Sequence, residues 1–182
     1  MAHENFRDRL TSLRTATLTD PDGFLQGLSD IHYDWHSQPR TYGFLLFHHR
    51  VVRYFDEIVN APLQLGIVAF SSADLERMGV AALTASTSGV DTLGELATYS
   101  SAIETWHNSA HGRIEVATGA PMMDARVNIF YEAFWRLHKF IDARVQTGLT
   151  QYANRAHRGS LATPFASARH IESAHHSWVV RI

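Results

Sequence analysis

The chain contains no cysteine, and this absence removes whole classes of chemistry. Disulfides, thiolate zinc sites, iron–sulfur clusters and cysteine nucleophiles are all excluded. Imidazole and carboxylate groups remain as the strong side-chain metal ligands. Any metal centre in this protein must therefore be built mainly from these two kinds of group.

Long apolar runs and a strong charge of one sign are also missing. No apolar run approaches the ~20 residues that a membrane-spanning helix requires. The opening residues MAHENFRDRL lack the pattern of a signal peptide. The formal net charge of -2 offers no electrostatic reason to bind nucleic acid or an anionic membrane. We therefore expect a cytoplasmic protein, unless a partner exports it, with neither nucleic acid nor a membrane as its partner.

The spacing of apolar residues predicts a single all-α domain over residues 1–182, with a partly irregular tail at 158–182. Residues 63–70 fit either a short strand or a buried helical turn, and Gly112 is expected to end a helix. The predicted helices cover residues 3–15, 21–36, 42–59, 73–85 and 91–111, and a last helix begins at Asp124 or Asn128 and runs to about residue 151. The longer ones predict a four-helix bundle with a site in its core.

Histidine is abundant, with twelve residues, and the sharpest group lies in the second half of the chain. His107 and His111 in WHNSAH are four apart, so they share one face of a helix at about 5–6 Å between Cβ atoms. His138 in FWRLHKFID, on another helix, can complete a site of three nitrogens. Asp142 follows one turn later and could orient a ligand ring or pair with Arg50.

A comparable group lies upstream. His32 and His36 in IHYDWH repeat the spacing of four, and FLLFHHR adds His48 and His49. Two clusters of three neutral imidazoles suit a pair of metal ions such as copper or zinc.

The downstream strings resemble the copper B half of the tyrosinase family, the type 3 copper proteins. That family has a His-Asn-x-x-His pair, then a loop often holding Met, then a phrase like Phe-Trp-Leu-His-His-Ala-Phe-Ile-Asp. The family's second histidine of the His-His pair aligns with His138, whereas Leu137 replaces the first. The matching residues are His107, Asn108, His111, Met122 or Met123, Phe134, Trp135, His138, Phe140, Ile141 and Asp142.

The upstream string GFLLFHHRVVRYFDE resembles the family's Phe-Leu-Pro-Trp-His-Arg phrase, which ends in Phe-Glu. A gapless alignment makes His48 the ligand, whereas the His-Arg dipeptide favours His49. The family's middle ligand has no histidine at its usual place, and His36 is the nearest replacement. His32 would then be the first ligand, an arrangement similar to that of arthropod hemocyanins.

The resemblance implies a four-helix bundle that holds two copper ions and uses dioxygen as co-substrate. Small phenols, catechols or ortho-aminophenols would be oxidised, and a separate helper protein could deliver the copper. The resemblance also gives Asn108 a catalytic role, in which it helps a glutamate hold the water that deprotonates a phenol. The candidates for that glutamate are Glu95, Glu104 and Glu115.

Three other functions fit the same residues. One is a hemocyanin-like oxygen binder, which would keep both coppers without oxidising a substrate. Another is a helical bundle with a single zinc ion at His107, His111 and His138, and the last is a metal-free interaction module.

Overall fold

The computed structural model describes residues 20–37, 44–86, 90 and 92–160, and this part of the chain is helical and contains no strand. The all-α prediction is confirmed for these residues. The predicted helix at 3–15 and residues 161–182 of the predicted tail lie outside them. The helices are α1 (Pro21–His36), α2 (Phe44–Phe55), α3 (Ser72–Arg77), α4 (Leu93–Thr118) and α5 (Glu132–Ser160).

Helix α1 begins and ends where its sequence signals place it. Asp20 is the N-cap, and its side chain accepts a hydrogen bond from the amide of Gly23 at 2.9 Å. Pro21 opens the helix, where the missing N–H costs nothing. At the other end, the Ser37 amide donates to the carbonyl of Tyr33 at 2.9 Å. Local sequence is therefore enough to fix the helix that carries His32 and His36.

Helix α2 continues into one wider π-helical turn, Asp56–Asn60, that the sequence did not predict. The Asn60 side chain then bonds both backbone groups of Ile67, with its Oδ1 3.0 Å from the Ile67 nitrogen. Residues 63–70 consequently form an irregular, largely exposed segment, so both predictions for them were wrong. The apolar pattern of this segment predicts that it is buried. The backbone of Ile67, however, is bonded by the Asn60 side chain and not by a neighbouring strand.

Helix α4 is longer than predicted. Thr92 and Glu95 form a reciprocal capping box at its start, and the helix passes through Gly112 to end at Thr118. Gly119 has a positive φ of 75° and caps the end in the left-handed conformation. The predicted stop at Gly112 was wrong, because a glycine inside a helix costs only about 1 kcal/mol and a better cap follows.

Helix α5 begins later than predicted, at Glu132, after a short 3-10 turn, Asn128–Phe130. It packs against α2, where the rings of Phe55 and Trp135 stack at 3.7 Å between centroids and 6° between planes. Helix α2 also contacts α4, so it touches two of the other three helices that carry the core histidines. Among the described helices, we find none whose length and apolar character would let it cross a bilayer.

The two glycines of α4 make a matched pair for testing the observed helix end. Gly119→Ala should lower the free energy of unfolding by about 1 kcal/mol, because a side chain is strained at positive φ although its Cβ has open space. Gly112→Ala should raise it by up to ~1 kcal/mol, because its Cβ meets only the Met123 sulfur at 3.8 Å. Urea unfolding of both variants measures these changes. If Gly119→Ala raised the free energy of unfolding and Gly112→Ala lowered it, the helix would end at Gly112 instead.

Candidate metal centre

Six histidines from four helices converge in the core. Five are buried, with at most 5% of each residue exposed, and His36 is half-buried. Helix α1 supplies His32 and His36, whose ring centroids are 4.4 Å apart, and α4 supplies His107 and His111, at 4.2 Å. The other two are His48 from α2 and His138 from α5.

The rings form two groups whose nitrogens could each hold a metal ion. In the first group, His32, His36 and His48 place one nitrogen each within 4.8 Å of the others. In the second, His48 groups with His107 and His138 at the same limit.

This grouping differs from the predicted sets, which were His32, His36 and either His48 or His49 against His107, His111 and His138. His48 belongs to both observed groups, whereas the His111 ring lies 5.4 Å from that of His138 and is in neither group. Six of the seven candidate ligands lie in one continuous cluster, and His49 does not.

The Nδ1 atoms of the buried rings face oxygen acceptors. His48 and His138 bond carbonyls one turn earlier on their own helices, Phe44 at 2.8 Å and Phe134 at 2.7 Å. His32 from α1 and His111 from α4 instead use the segment that follows α4. There the His111 Nδ1 lies 2.5 Å from the carbonyl oxygen of Met122, and the His32 Nδ1 lies 3.2 Å from that of Ala125.

These contacts decide which nitrogen carries the proton. A carbonyl oxygen can only accept, so each neutral ring must be protonated at Nδ1 and keep its lone pair on Nε2. The Nε2 atoms of His32, His48 and His111 are buried and have no hydrogen-bond partner. A buried polar atom without a partner costs about 1–3 kcal/mol, so these nitrogens are suited to a ligand rather than to stability.

The contact between His107 and His138 supports the same conclusion. Their Nε2 atoms lie 3.0 Å apart, and both Nδ1 atoms already face oxygens, Oδ1 of Asn108 and the carbonyl of Phe134. Two lone pairs then point at each other, which is repulsive unless a cation lies between them. Nitrogens that each lie ~2.0 Å from one metal ion are at most ~4 Å apart, so the observed distance fits a shared ion.

The histidines are held neutral by their surroundings. Burial lowers the pKa values of His32, His48, His107 and His138 well below the ordinary value, and repulsion from neighbouring histidines lowers them further. Burial also lowers the pKa of His111 to about 4, although its bond to Met122 and the charge of Glu115 act in the opposite direction. Neutral imidazole is the form that binds metal ions.

Aromatic rings close the cluster against water. Phe134 stacks on His138 at 3.9 Å, and Phe44 contacts His48 at 4.2 Å and His107 at 4.9 Å. Both phenylalanines are almost completely buried.

The structure places the other predicted site residues outside the cluster. His49 points away, and its Nδ1 bonds the Asp142 carboxylate at 2.6 Å, so Asp142 contacts His49 rather than a clustered histidine. Asn108 is exposed, but its Oδ1 lies 3.1 Å from the Nδ1 of His107. Arg50 is half-buried on α2.

Sequence reasoning missed the acceptors in the segment that follows α4. The Met122 carbonyl also accepts from the buried Asn128 amide at 3.0 Å, which ties this segment to the 3-10 turn. Met122 itself is fully buried. A backbone carbonyl has no residue signature, so only the family's loop methionine hinted at this position.

No family model, no curated protein and no solved structure matches this chain.

The pKa shifts predict an acid-sensitive metal-free protein. The unfolded chain binds protons near the ordinary histidine pKa of 6.5, whereas folded His111 binds its proton only near pH 4. Stability is therefore complete above about pH 7 and falls as the pH decreases; His111 alone should cost about 2 kcal/mol by pH 5. Urea unfolding of metal-free protein at pH 7.5, 6 and 5 measures this.

His111→Gln provides the control for this measurement. It removes one of the depressed groups, so its free energy of unfolding should vary less with pH between 7.5 and 5. A wild-type free energy that stays constant over that interval would contradict the neutral, buried state of these rings.

Proposed function

We propose that this protein is a dicopper oxidoreductase of the tyrosinase type, which uses dioxygen to oxidise phenols, catechols or ortho-aminophenols. In this proposal α1, α2, α4 and α5 act as a four-helix bundle around the metal pair. The observation that carries it is the set of buried Nε2 atoms without partners in a cluster of six histidines from four helices. Two adjacent groups of nitrogen donors suit two ions better than one.

The donor set fits copper. Imidazole suits copper in proteins, and copper binds such sites more tightly than the other common divalent ions. We assign His32, His36 and His48 to one ion and His107, His111 and His138 to the other. When bound, the pair of ions would supply the binding and reduction of dioxygen.

The protein's own residues would orient the ligands and keep water out. The Nδ1 bonds fix each ring's tautomer and direction before any metal arrives. The phenylalanines that flank the rings limit access by water. Because the donor nitrogens are so deeply buried, we propose that a helper protein delivers the copper.

The first test is metal content together with oxidation of a catechol. After copper loading and removal of excess metal, we expect two copper ions per chain by elemental analysis and quinone formation from 4-methylcatechol. Two coppers without quinone formation would indicate an oxygen binder instead. One copper or none would contradict a dinuclear centre.

Adjacent residues on α2 provide a matched pair of variants. His48→Ala should lose at least one copper and the oxidase activity, because His48 lies within both groups. His49→Ala should keep both coppers, because its ring bonds Asp142 outside the cluster. Loss of copper in His49→Ala but not in His48→Ala would show that His49 is the ligand.

Asn108 offers a separate test, because its amide oxygen faces His107 from outside the cluster. Asn108→Ala removes that acceptor and should weaken copper binding or activity by about ten- to a hundredfold, as loss of an outer partner of a metal ligand usually does. Asn108→Asp keeps an acceptor and should retain most of the affinity. A competition titration with a copper chelator measures both variants.

The same variants address the role in phenol activation predicted for Asn108. A larger loss of monophenol turnover than of catechol turnover would favour the water-holding role. An equal loss on both substrates would leave Asn108 only the role of positioning His107.

A single zinc ion is the alternative that one observation favours. His48, His107 and His138 converge tightly, and three histidines around one ion are a common zinc site. His32→Ala separates the two proposals. It should remove one of two metal ions from a dinuclear centre and leave a single-ion site fully loaded.

A further inference from the structure

A cavity of about 500 Å³ opens beside the histidine cluster. Its lining includes His36 and Tyr33 from the end of α1, Glu115 from α4, and Met123 and Asp124 from the segment that follows α4. We call it the outer cavity. Its volume lies in the usual range of small-ligand sites, which is about 300–1,000 Å³.

His36 connects the outer cavity with the proposed metal centre. The residue lines the cavity and also belongs to the group with His32 and His48. Glu115 is also close to the cluster, because its negative charge acts on His111 and raises that pKa against the larger effect of burial. A molecule in the outer cavity would therefore contact the edge of the metal centre.

The charge of the lining is negative. Glu115 and Asp124 both contribute carboxylates, each already fixed by a backbone amide: Met123 donates to Glu115 Oε2 at 2.7 Å, and Arg126 donates to Asp124 Oδ1 at 2.9 Å. Both carboxylates are thus held in place while keeping lone pairs for another donor.

A positive charge lies at the side of the cavity. The Arg126 guanidinium lies over the Tyr33 ring, 4.2 Å from its centroid, and donates to the Tyr33 hydroxyl at 2.7 Å. It offsets one of the two negative charges but is engaged with an aromatic ring and a neutral oxygen. Among the described residues the lining keeps a net negative charge, which attracts cations and repels carboxylates.

We propose that the outer cavity selects phenolic substrates that carry an ammonium group, and that Glu115 and Asp124 recognise this group. The inference rests on the proposed function, since it places the phenol ring toward His36 and the cation toward the two carboxylates. A substrate with a carboxylate at the same position would meet repulsion. Neutral catechols would have a kcat/KM between those of the ammonium and carboxylate compounds.

The first measurement compares three catechols on the copper-loaded protein: 4-(2-aminoethyl)catechol, 4-methylcatechol and 3,4-dihydroxyphenylacetate. We expect kcat/KM to fall in that order, with the amine about tenfold above the acid. Glu115→Gln and Asp124→Asn should each reduce the amine-to-acid ratio about two- to fivefold, the effect of one partly exposed charge pair. Added salt should reduce the ratio in the wild type.

Asp22→Asn is the matched control. It removes the same charge from the exposed first turn of α1. That turn lies roughly 20 Å along the helix from His36. The ratio should stay at the wild-type value in this variant, which separates a local effect from a change in net charge.

The second measurement needs no copper and no turnover. Metal-free protein is titrated with 2-phenylethylammonium, 2-phenylethanol and phenylacetate while amide chemical shifts are followed by NMR. We expect the ammonium compound to bind several-fold more tightly than phenylacetate, with the largest shifts at residues 115 and 123–125. Glu115→Gln should reduce that difference.

The outcomes are distinguishable. Oxidation of all three catechols with equal kcat/KM, or binding without charge preference, would overturn the inference and leave the proposed function standing. Preference for the carboxylate would also overturn it, by giving the dominant role to Arg126. Selective binding of the ammonium compound without oxidation of any catechol would support the cavity's charge selection and contradict the proposed oxidase.

Discussion

The need to bury neutral imidazoles governs the rest of this structure. Each buried ring has one N–H group, and that group must find an acceptor in an interior without water. His48 and His138 find theirs on their own helices, in the carbonyls of Phe44 and Phe134. Because a carbonyl oxygen has two lone pairs, it can take this second bond without losing its helical one.

His32 and His111 impose a stronger demand, because their acceptors lie in the segment that follows α4. The carbonyls of Met122 and Ala125 must point inward, and this requires the chain to turn sharply after Thr118. The left-handed Gly119 makes that turn. Asn128 then fixes the Met122 carbonyl from the other side. The segment therefore supports the histidine cluster although it contributes no histidine to it.

Sequence reasoning succeeded where the signal is local. Asp20 and Pro21 specify the start of α1, and the spacing of four places His107 beside His111 on one helix face. The sequence alone identifies all six clustered histidines as candidate ligands. The choice between His48 and His49 stayed open, because it depends on how α2 is rotated against α5. Only the packing of that helix pair places His49 beside Asp142.

The failures have two causes: a stronger local signal overrides a weaker one, or contacts from elsewhere in the chain override a local pattern. Gly112 signals a helix end, yet α4 continues to a stronger cap. Residues 63–70 have an apolar pattern, yet their backbone is bonded by groups from elsewhere in the chain. The Asn60 side chain bonds the backbone of Ile67, and the Arg136 carbonyl accepts from the Phe70 amide at 3.0 Å. The outer cavity was equally unpredictable, because Glu115 faces it only since α4 extends beyond Gly112.

The position of His48 bears most directly on whether one centre or two separate sites are present. Its ring lies 5.6 Å from that of His32, 5.5 Å from that of His107 and 5.1 Å from that of His138. Because its Nδ1 is bound to the Phe44 carbonyl, His48 offers only its Nε2 and can bind one ion, so ions held by the two groups would lie close to one another around this ring. In the proposed centre, two ions need such nearness to share one small ligand. The rotation of α2 that brings His48 inward is therefore what would make two histidine sets act together.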